Sequence, residues 1–346
     1  MDEAKTLDIK QVAKEILETI DREREREIIA RRFGLYDRKE TLEQIGELLG
    51  ITRERVRQLE KAILIRLKMS AEKGELPHVS QVEKEFVKHL SEMGRAARVS
   101  DLALKASKAG DDRDKAHTAF LSTLAPSLTV LDENDDYHQA VAIAEYFDDK
   151  KLKTAVTAIV KTIKEHKEPV TIPQLHEMTS GYEHPDHVKA LASISKRLAH
   201  LKDQWGLLKW PLVNPKNIRD KIYVILQEHG KPMHFSEIAG KIKESDFKRK
   251  DVTTQAIHNE LIKDARFVLI GRGIYALKEW GYAKGTVSDI IVKILKKSKE
   301  PMHRDDIVRE VLKSRQVKET TILLNLQGKS QFKRVAKATY ALAEDK

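Results

Sequence analysis

A passage near the C-terminus occurs twice, and this repeat limits the possible folds more than any other feature of the chain. KPMHFSEIAGKI from Lys231 returns as EPMHRDDIVREV from Glu300, and FVLIGRGIYAL from Phe267 returns as FKRVAKATYAL from Phe332. Each copy takes about 65 residues, which is large for a solenoid unit and enough to enclose a small core of its own. In each, a helical pattern (Arg219 to Glu228; Val287 to Lys297) precedes the proline-methionine-histidine turn. A second helix follows, then a third (Thr253 to Lys263; Glu319 to Leu326), then two short strands around a turn. Three helices and a β-hairpin in that order predict a winged helix. Two fainter copies are read upstream. One is EPVTIPQLHEM from Glu168, with a helical run from His187 to Leu201 and the apolar stretch WGLLKWPLV. The other is ARVSDLALKA from Ala97, then AHTAFLSTLA and LTVLDENDDYHQAVAI, with DENDD as its hairpin turn.

The second organising stretch is TLEQIGELLGITRERVRQLEKAILIRLK, Thr41 to Lys68. Thr41 and Gln44 have capping-box spacing, so a hydroxyl and an amide satisfy orphan backbone groups at a helix start. Leu42, Ile45, Leu48 and Leu49 recur at helical spacing, and Gly50 stops that helix because glycine enters the left-handed region without a Cβ penalty. Thr52 caps a second helix with an apolar stripe of Val56, Leu59, Ile63 and Leu67. The pattern predicts a helix-turn-helix. Arg53, Glu54, Arg57 and Gln58 face away from the stripe in the first two turns of the second helix, the part such a motif presents to base edges. Arginine can fork onto guanine, glutamine can pair with adenine, and glutamate can accept from cytosine. A solvated, charged helix face has the same spacing. Upstream, Leu7, Ile9, Val12, Ile16, Leu17 and Ile20 give a first helix an apolar face. It leads into the alternating charges of DREREREIIARRF, whose Ile28, Ile29 and Phe33 point to a core.

Residues from about Val12 to Ser70 resemble region four of the primary bacterial RNA polymerase sigma factor, the module that reads the promoter −35 element. ARRFGL, Ala30 to Leu35, is similar to the end of its first half, TLEQIGELLGI to its first helix and TRERVRQLEKA to its recognition helix. The resemblance implies that Arg53, Glu54, Arg57 and Gln58 read bases while Arg24 and Arg32 hold phosphates. Ala62 departs from the family, which usually has a further basic phosphate contact there, and the loop Tyr36 to Glu40 is slightly shorter. The resemblance stops at region four, so a complete sigma factor is not expected. The last two repeat copies, about Ile218 to Ala343, resemble the HARE-HTH family through their apolar spacing and closing tyrosine-alanine-leucine. That winged-helix module also occurs in the delta subunit of some bacterial RNA polymerases and fused to chromatin and restriction proteins. It implies nucleic-acid or polymerase-associated contacts without catalysis.

The expected fold is mainly α: a sigma region-four-like helix-turn-helix followed by tandem winged helices with short β-hairpins. The domains read as 1–72 for the helix-turn-helix, 73–80 for a linker marked by Gly74 and Pro77, and 81–148, 149–216, 217–284 and 285–346 for winged helices. The net charge of +10 over 346 residues is unevenly spread. Residues 78–150 carry 9 basic against 14 acidic side chains, whereas 218–284 carry 13 against 9 and 285–346 carry 14 against 8. A basic C-terminal half is an electrostatic footprint for a polyanion such as nucleic acid. Aromatics are only 5 %, which suits small aliphatic cores. No cysteine is present, which removes disulfides, thiolate metal sites and cysteine nucleophiles. The start, MDEAKTLDIK, lacks a signal peptide's basic and apolar regions, and no apolar run approaches the ~18 residues of a membrane span. A cytoplasmic, soluble protein with no membrane contact is expected.

On the third winged helix, Gln255, His258 and Asn259 fall on the third helix, and Arg272 lies between Gly271 and Gly273 at the wing tip. Arg272 there can reach a phosphate or a minor groove, or can simply form a turn. Arg334 and Lys337 in the last wing, with Lys248, Arg249 and Lys250, are further phosphate candidates. His234 and His303 recur after proline-methionine and read as helix caps or packing residues. His176, His184, His187 and His200 cluster, but Pro185 and the absence of cysteine argue against zinc. Trp205, Trp210 and Trp280 read as residues that pack hairpins on helices; a stacking platform for single strands is the alternative. No Walker loop, dinucleotide fingerprint or GxSxG elbow is present, so no enzyme, cofactor or metal is expected. These observations predict a sequence-specific, promoter-associated DNA-binding protein whose partners are double-stranded DNA and RNA polymerase. The alternatives are a polymerase accessory protein docking on the β flap and a DNA-processing enzyme or its specificity subunit.

Overall fold

A computed structural model of the chain describes residues 8–107, 111–249, 251–282 and 284–343. Leu7 and Lys250 lie outside the described residues. The chain divides into two compact units, Met1–Leu208 and Lys209–Lys346.

The first unit opens with α1 (Ile9–Glu18), α2 (Glu23–Phe33), α3 (Leu42–Leu49) and α4 (Arg53–Glu72). Asp8 caps α1 by accepting from the amides of Lys10 and Gln11. The charged run of α2 is more than a solvated face, because Glu25 is buried and accepts from Arg66 at 2.6 Å and Arg22 at 3.2 Å. The Arg66 guanidinium holds the Glu25 carboxyl below the usual carboxylate range, against the opposing effect of burial.

Next come α5 (Val79–Glu92), β1 (Ala96–Arg98), α6 (Val99–Ser107), α7 (Asp112–Leu124), β2 (Leu128–Leu131) and β3 (Ala140–Ile143). The strands form an antiparallel sheet in the order β1-β3-β2, with Ala96 opposite Ala142 and Leu128 opposite Ile143. This is a winged helix, and its third helix, α7, is covered on nearly every side. Thr118, Phe120, Leu121, Ser122 and Leu124 are all buried. Ile16, Ile63 and Leu67 from the preceding helices share one core with Phe120, Leu121, Phe86 and Val141. Phe33 meets Phe120 edge-on at 5.2 Å between ring centres. Leu76 and Val79 are buried in the same core, so the break around Gly74 and Pro77 is a corner of a shared interior.

The second winged helix consists of α8 (Asp149–His166), α9 (Ile172–Met178), α10 (Pro185–Ile194), β4 (Leu198–Leu201) and β5 (Gln204–Leu207). The helical run expected from His187 to Leu201 is therefore too long. It ends at Ile194, where Ser195 turns extended and its hydroxyl accepts from the amide of Arg197. Leu198–Leu201 instead pairs with β5, and His200 stacks on Trp205 opposite it, 4.7 Å between ring centres. The acidic turn of the first wing is tied to this domain: Glu133 pairs with Lys196 and Asp136 with Arg197, each at 2.6 Å.

The second unit holds two further winged helices. The first has α11 (Ile218–His229), β6 (Met233–His234), α12 (Phe235–Glu244), α13 (Thr254–Lys263), β7 (Phe267–Gly271) and β8 (Ile274–Leu277). The second repeats the order as α14 (Val287–Ser298), β9 (Met302–His303), α15 (Arg304–Ser314), α16 (Glu319–Gly328), β10 (Phe332–Ala336) and β11 (Thr339–Leu342). His234 and His303 are helix caps, their Nδ1 atoms accepting from the amides of Ser236 at 3.3 Å and Asp305 at 3.4 Å. The outer strand β7 is not a free edge, because Gln316 donates its amide to Ile270 at 3.1 Å and the buried Arg315 guanidinium donates to the Leu269 carbonyl.

The two wings carry the same irregularity, between Leu269 and Gly271 and between Arg334 and Ala336. The residue that follows turns left-handed in both, Gly273 at φ +72° and Ala338 at φ +56°. Alanine has a Cβ penalty there that glycine lacks. Ala338→Gly is therefore expected to stabilise the second unit by up to about 1 kcal/mol, read as a rise in its unfolding midpoint. An unchanged or lower midpoint would show that the turn holds no strain.

Among the described residues no helix is long and apolar enough to cross a membrane.

Candidate nucleic-acid interface

The helix-turn-helix is built as its residues require. The Thr41 hydroxyl accepts from the amide of Gln44, and the Gln44 side chain accepts from the amide of Thr41. Gly50 ends α3 at φ +64°, and the Thr52 hydroxyl accepts from the amide of Arg55 to start α4. Ile28, Ile45 and Val56 form the small core that sets α4 against α2 and α3. One requirement is not evident from helical periodicity. A Cβ on Gly46 would lie 2.7 Å from the Ile51 carbonyl oxygen, so only glycine lets the turn cross α3 this closely. Its one sequence signal is a glycine inside an otherwise good helix. Gly46→Ala should cost about 1–3 kcal/mol through overpacking, and an unchanged denaturation midpoint would contradict that close approach.

Arg53, Glu54, Arg57 and Gln58 are all exposed on the first two turns of α4, and three of them form one linked group. Arg57 donates Nε and Nη2 to the two carboxylate oxygens of Glu54 at 2.8 and 2.7 Å, and Gln58 donates its amide to the same carboxylate at 3.2 Å. Arg53 pairs instead with Glu43 of α3 at 2.7 Å. The Arg57 hydrogen bonds, followed by that from Gln58, lower the Glu54 pKa to about 2, so it is an acceptor at any physiological pH. Arg55, which the spacing argument passes over, is also exposed and reaches Gln58 at 3.4 Å.

The two residues expected on phosphates are placed differently. Arg24 is exposed and donates to the Leu49 carbonyl at 2.6 Å, beside the turn. Arg32 is only partly exposed and sits between α2 and α4, bonded to the Glu60 carboxylate at 3.2 Å and the Glu40 carbonyl at 3.3 Å.

The four third helices of the winged domains are unequal. α7 is buried under the helix-turn-helix, and Val188, Ala190, Leu191, Ala192 and Ile194 of α10 are buried as well. In the second unit, by contrast, only Ile257 and Leu261 of α13 and only Ile322 and Leu326 of α16 are buried. Gln255 and Asn259 lie together on the exposed face of α13, joined by a 3.1 Å hydrogen bond. His258 is half-buried and turns inward, 4.9 Å from the Phe235 ring and 6.1 Å from Tyr275. Arg272, Arg334 and Lys337 are exposed on the two wings. Of the clustered histidines, His184 caps α10 and His176 bonds the Tyr182 carbonyl at 2.9 Å. Among the described residues, no group of three or more metal-type side chains is placed to hold an ion.

Comparison with known proteins follows this division. Residues 22–69 match the family profile described as sigma-70, region 4. Residues 218–280 match the HARE-HTH family, described as an HTH domain of ASXL and restriction endonuclease proteins. The chain is 43 % identical over 61 residues to an RNA polymerase sigma factor SigA of a Bacillus species, covering 17 % of this chain and 16 % of that protein. It is 50 % identical over 46 residues to RNA polymerase sigma factor sigB of Arabidopsis thaliana, 13 % of this chain and 8 % of that one. The match thus spans less than a fifth of either relative. The chain joins a sigma-70 region 4 module to a HARE-HTH domain, two domains of DNA-binding type.

Proposed function

We propose that the protein is a sequence-specific, non-catalytic transcription factor that reads a −35-like element in the major groove through α4, with the second unit extending the contact along the duplex. The observation that carries this reading is the linked group on α4: Arg57 and Gln58 are both held by Glu54 at the helix end that enters a groove. The carboxylate fixes the guanidinium plane in advance, which lowers the ordering cost of a bidentate contact. Exposed third helices and basic wings occur in the second unit, where the positive charge also lies.

Selection of bound sequences from a random duplex pool by the full-length protein tests the reading. A −35-like motif is expected, and Arg57→Ala with Gln58→Ala should abolish it, at about 1–3 kcal/mol per bidentate contact. Recovery of no motif would overturn direct readout. Glu54→Gln is expected to strengthen non-specific binding, by removing a negative charge that faces phosphates, while flattening base preference. A variant with weaker binding and intact preference would show that Glu54 does not organise the group.

A second reading has the module docking on RNA polymerase. α7 covers the apolar face formed by α1, α2 and α4, so the apolar surface left to such a partner on α4 is Ile65 and Met69, about half exposed and one turn apart. Under that reading the Arg57 and Gln58 substitutions would leave polymerase binding intact.

A further inference from the structure

The two winged helices of the second unit diverge at one place. Lys231 stands 69 residues before Glu300, yet Phe267 stands only 65 before Phe332, so the earlier copy holds extra residues between its second and third helices. There residues 245–253 join α12 to α13, where 315–318 suffice to join α15 to α16. The longer loop is anchored at three points. Phe247 and Val252 are buried on either side of the exposed Lys248 and Arg249. Between them the Lys221 ammonium, on a side chain buried in α11, donates to the carbonyls of Lys248 and Arg249 at 2.7 Å each.

This arrangement is costly. Among the described residues Lys221 has no carboxylate partner, and burial followed by repulsion from Arg249 pulls its pKa below the usual lysine value. Arg249 adopts φ +54°, a left-handed conformation that a non-glycine residue takes at an energetic cost. At the equivalent position of the later copy, with its shorter loop, stands Ile290, a plain core residue. A buried ammonium thus accompanies the loop extension, and its bonds go to the backbone of the two residues whose basic side chains face solvent. The loop ends at Thr253, the N-cap of α13, and the strand backbone of a duplex passes this end of a recognition helix.

We propose that Lys248 and Arg249 form a preset phosphate clamp for double-stranded DNA at the start of α13, and that Lys221 is its positioning residue. The inference rests on the reading that the second unit contacts DNA.

The test is the salt dependence of duplex binding by the full-length protein. Lys248→Gln with Arg249→Gln should flatten the slope of log affinity against log salt by about 1.8, two phosphate contacts, and weaken low-salt binding about tenfold. Lys221→Met should produce the same change while leaving the unfolding midpoint unchanged or raised, since Ile290 shows that an apolar side chain suits the position. The triple variant should add nothing further. If Lys221→Met leaves the slope intact while the double variant flattens it, Lys221 is structural only and the positioning role is wrong. Arg334→Ala with Lys337→Ala serves as the control. If that pair flattens the slope and the Lys248 pair does not, the clamp is overturned and DNA contact by the second unit stands. If neither does, both fall.

Discussion

Phe120→Ala is expected to destabilise the first unit by about 3–5 kcal/mol, the usual cost of removing a fully buried aromatic ring. Phe120 is fully buried on α7, meets Phe33 of α2 edge-on and lies in the core shared with Ile16, Ile63 and Leu67. The cavity would open between the helix-turn-helix and the first winged helix, so both should loosen together. Denaturant unfolding followed at two sites, one on α4 and one on α6, should show a single transition shifted to lower denaturant. A shift confined to one site would mean that the two modules hold separate cores.

Lys10→Met should be nearly as damaging, about 2–4 kcal/mol near neutral pH, because it strands a charge. The Asp114 side chain is 0 % exposed, pairs with Lys10 at 3.0 Å and accepts from Ser107 at 2.6 Å. Burial alone would raise the Asp114 pKa, but the hydrogen bonds from Ser107 and Lys10 outweigh it and hold the carboxyl below its ordinary value. A depressed folded pKa gives stability that is fully present above the unfolded pKa of about 4 and fades as pH falls through the folded one. In the variant the burial effect prevails, the pKa rises above its unfolded value, and acidification from pH 7 towards 5 should restore stability. Parent and variant therefore move in opposite directions on acidification. Parallel pH profiles would show that Lys10 does not hold the Asp114 charge.

The elements legible in the sequence are those written in local chemistry. The Thr41–Gln44 capping box, the Gly50 stop and the Thr52 cap lie within a turn of the helix ends they set, and the structure has each of them. The repeat carries the helix and strand order of the second unit for the same reason. What composition cannot show is burial between modules. Thr118 and Ser122 read as polar positions, yet both are buried on α7, because the helices that cover them precede them by fifty residues or more. The strand at Leu198–Leu201 reads as helix because LAHL has no clear alternation, and only its pairing with Gln204–Leu207 decides it. At the candidate site, residue types indicate which side chains face outward, but not that Glu54 ties two of them together or that Arg32 is held between α2 and α4.

The core that α4 shares with α7 also determines how the reading helix can move. Ile63 and Leu67 are in the back half of α4, in the same interior as Phe120 and Val141. That half cannot unwind without exposing the centre of the adjoining domain. Its amide protons should then exchange with solvent only through opening of the whole unit, while those near Arg53 exchange through local fraying. A fragment cut after residue 72 would leave Ile63, Leu67 and Phe33 bare and should aggregate, so the helix-turn-helix in this chain is not a transplantable part.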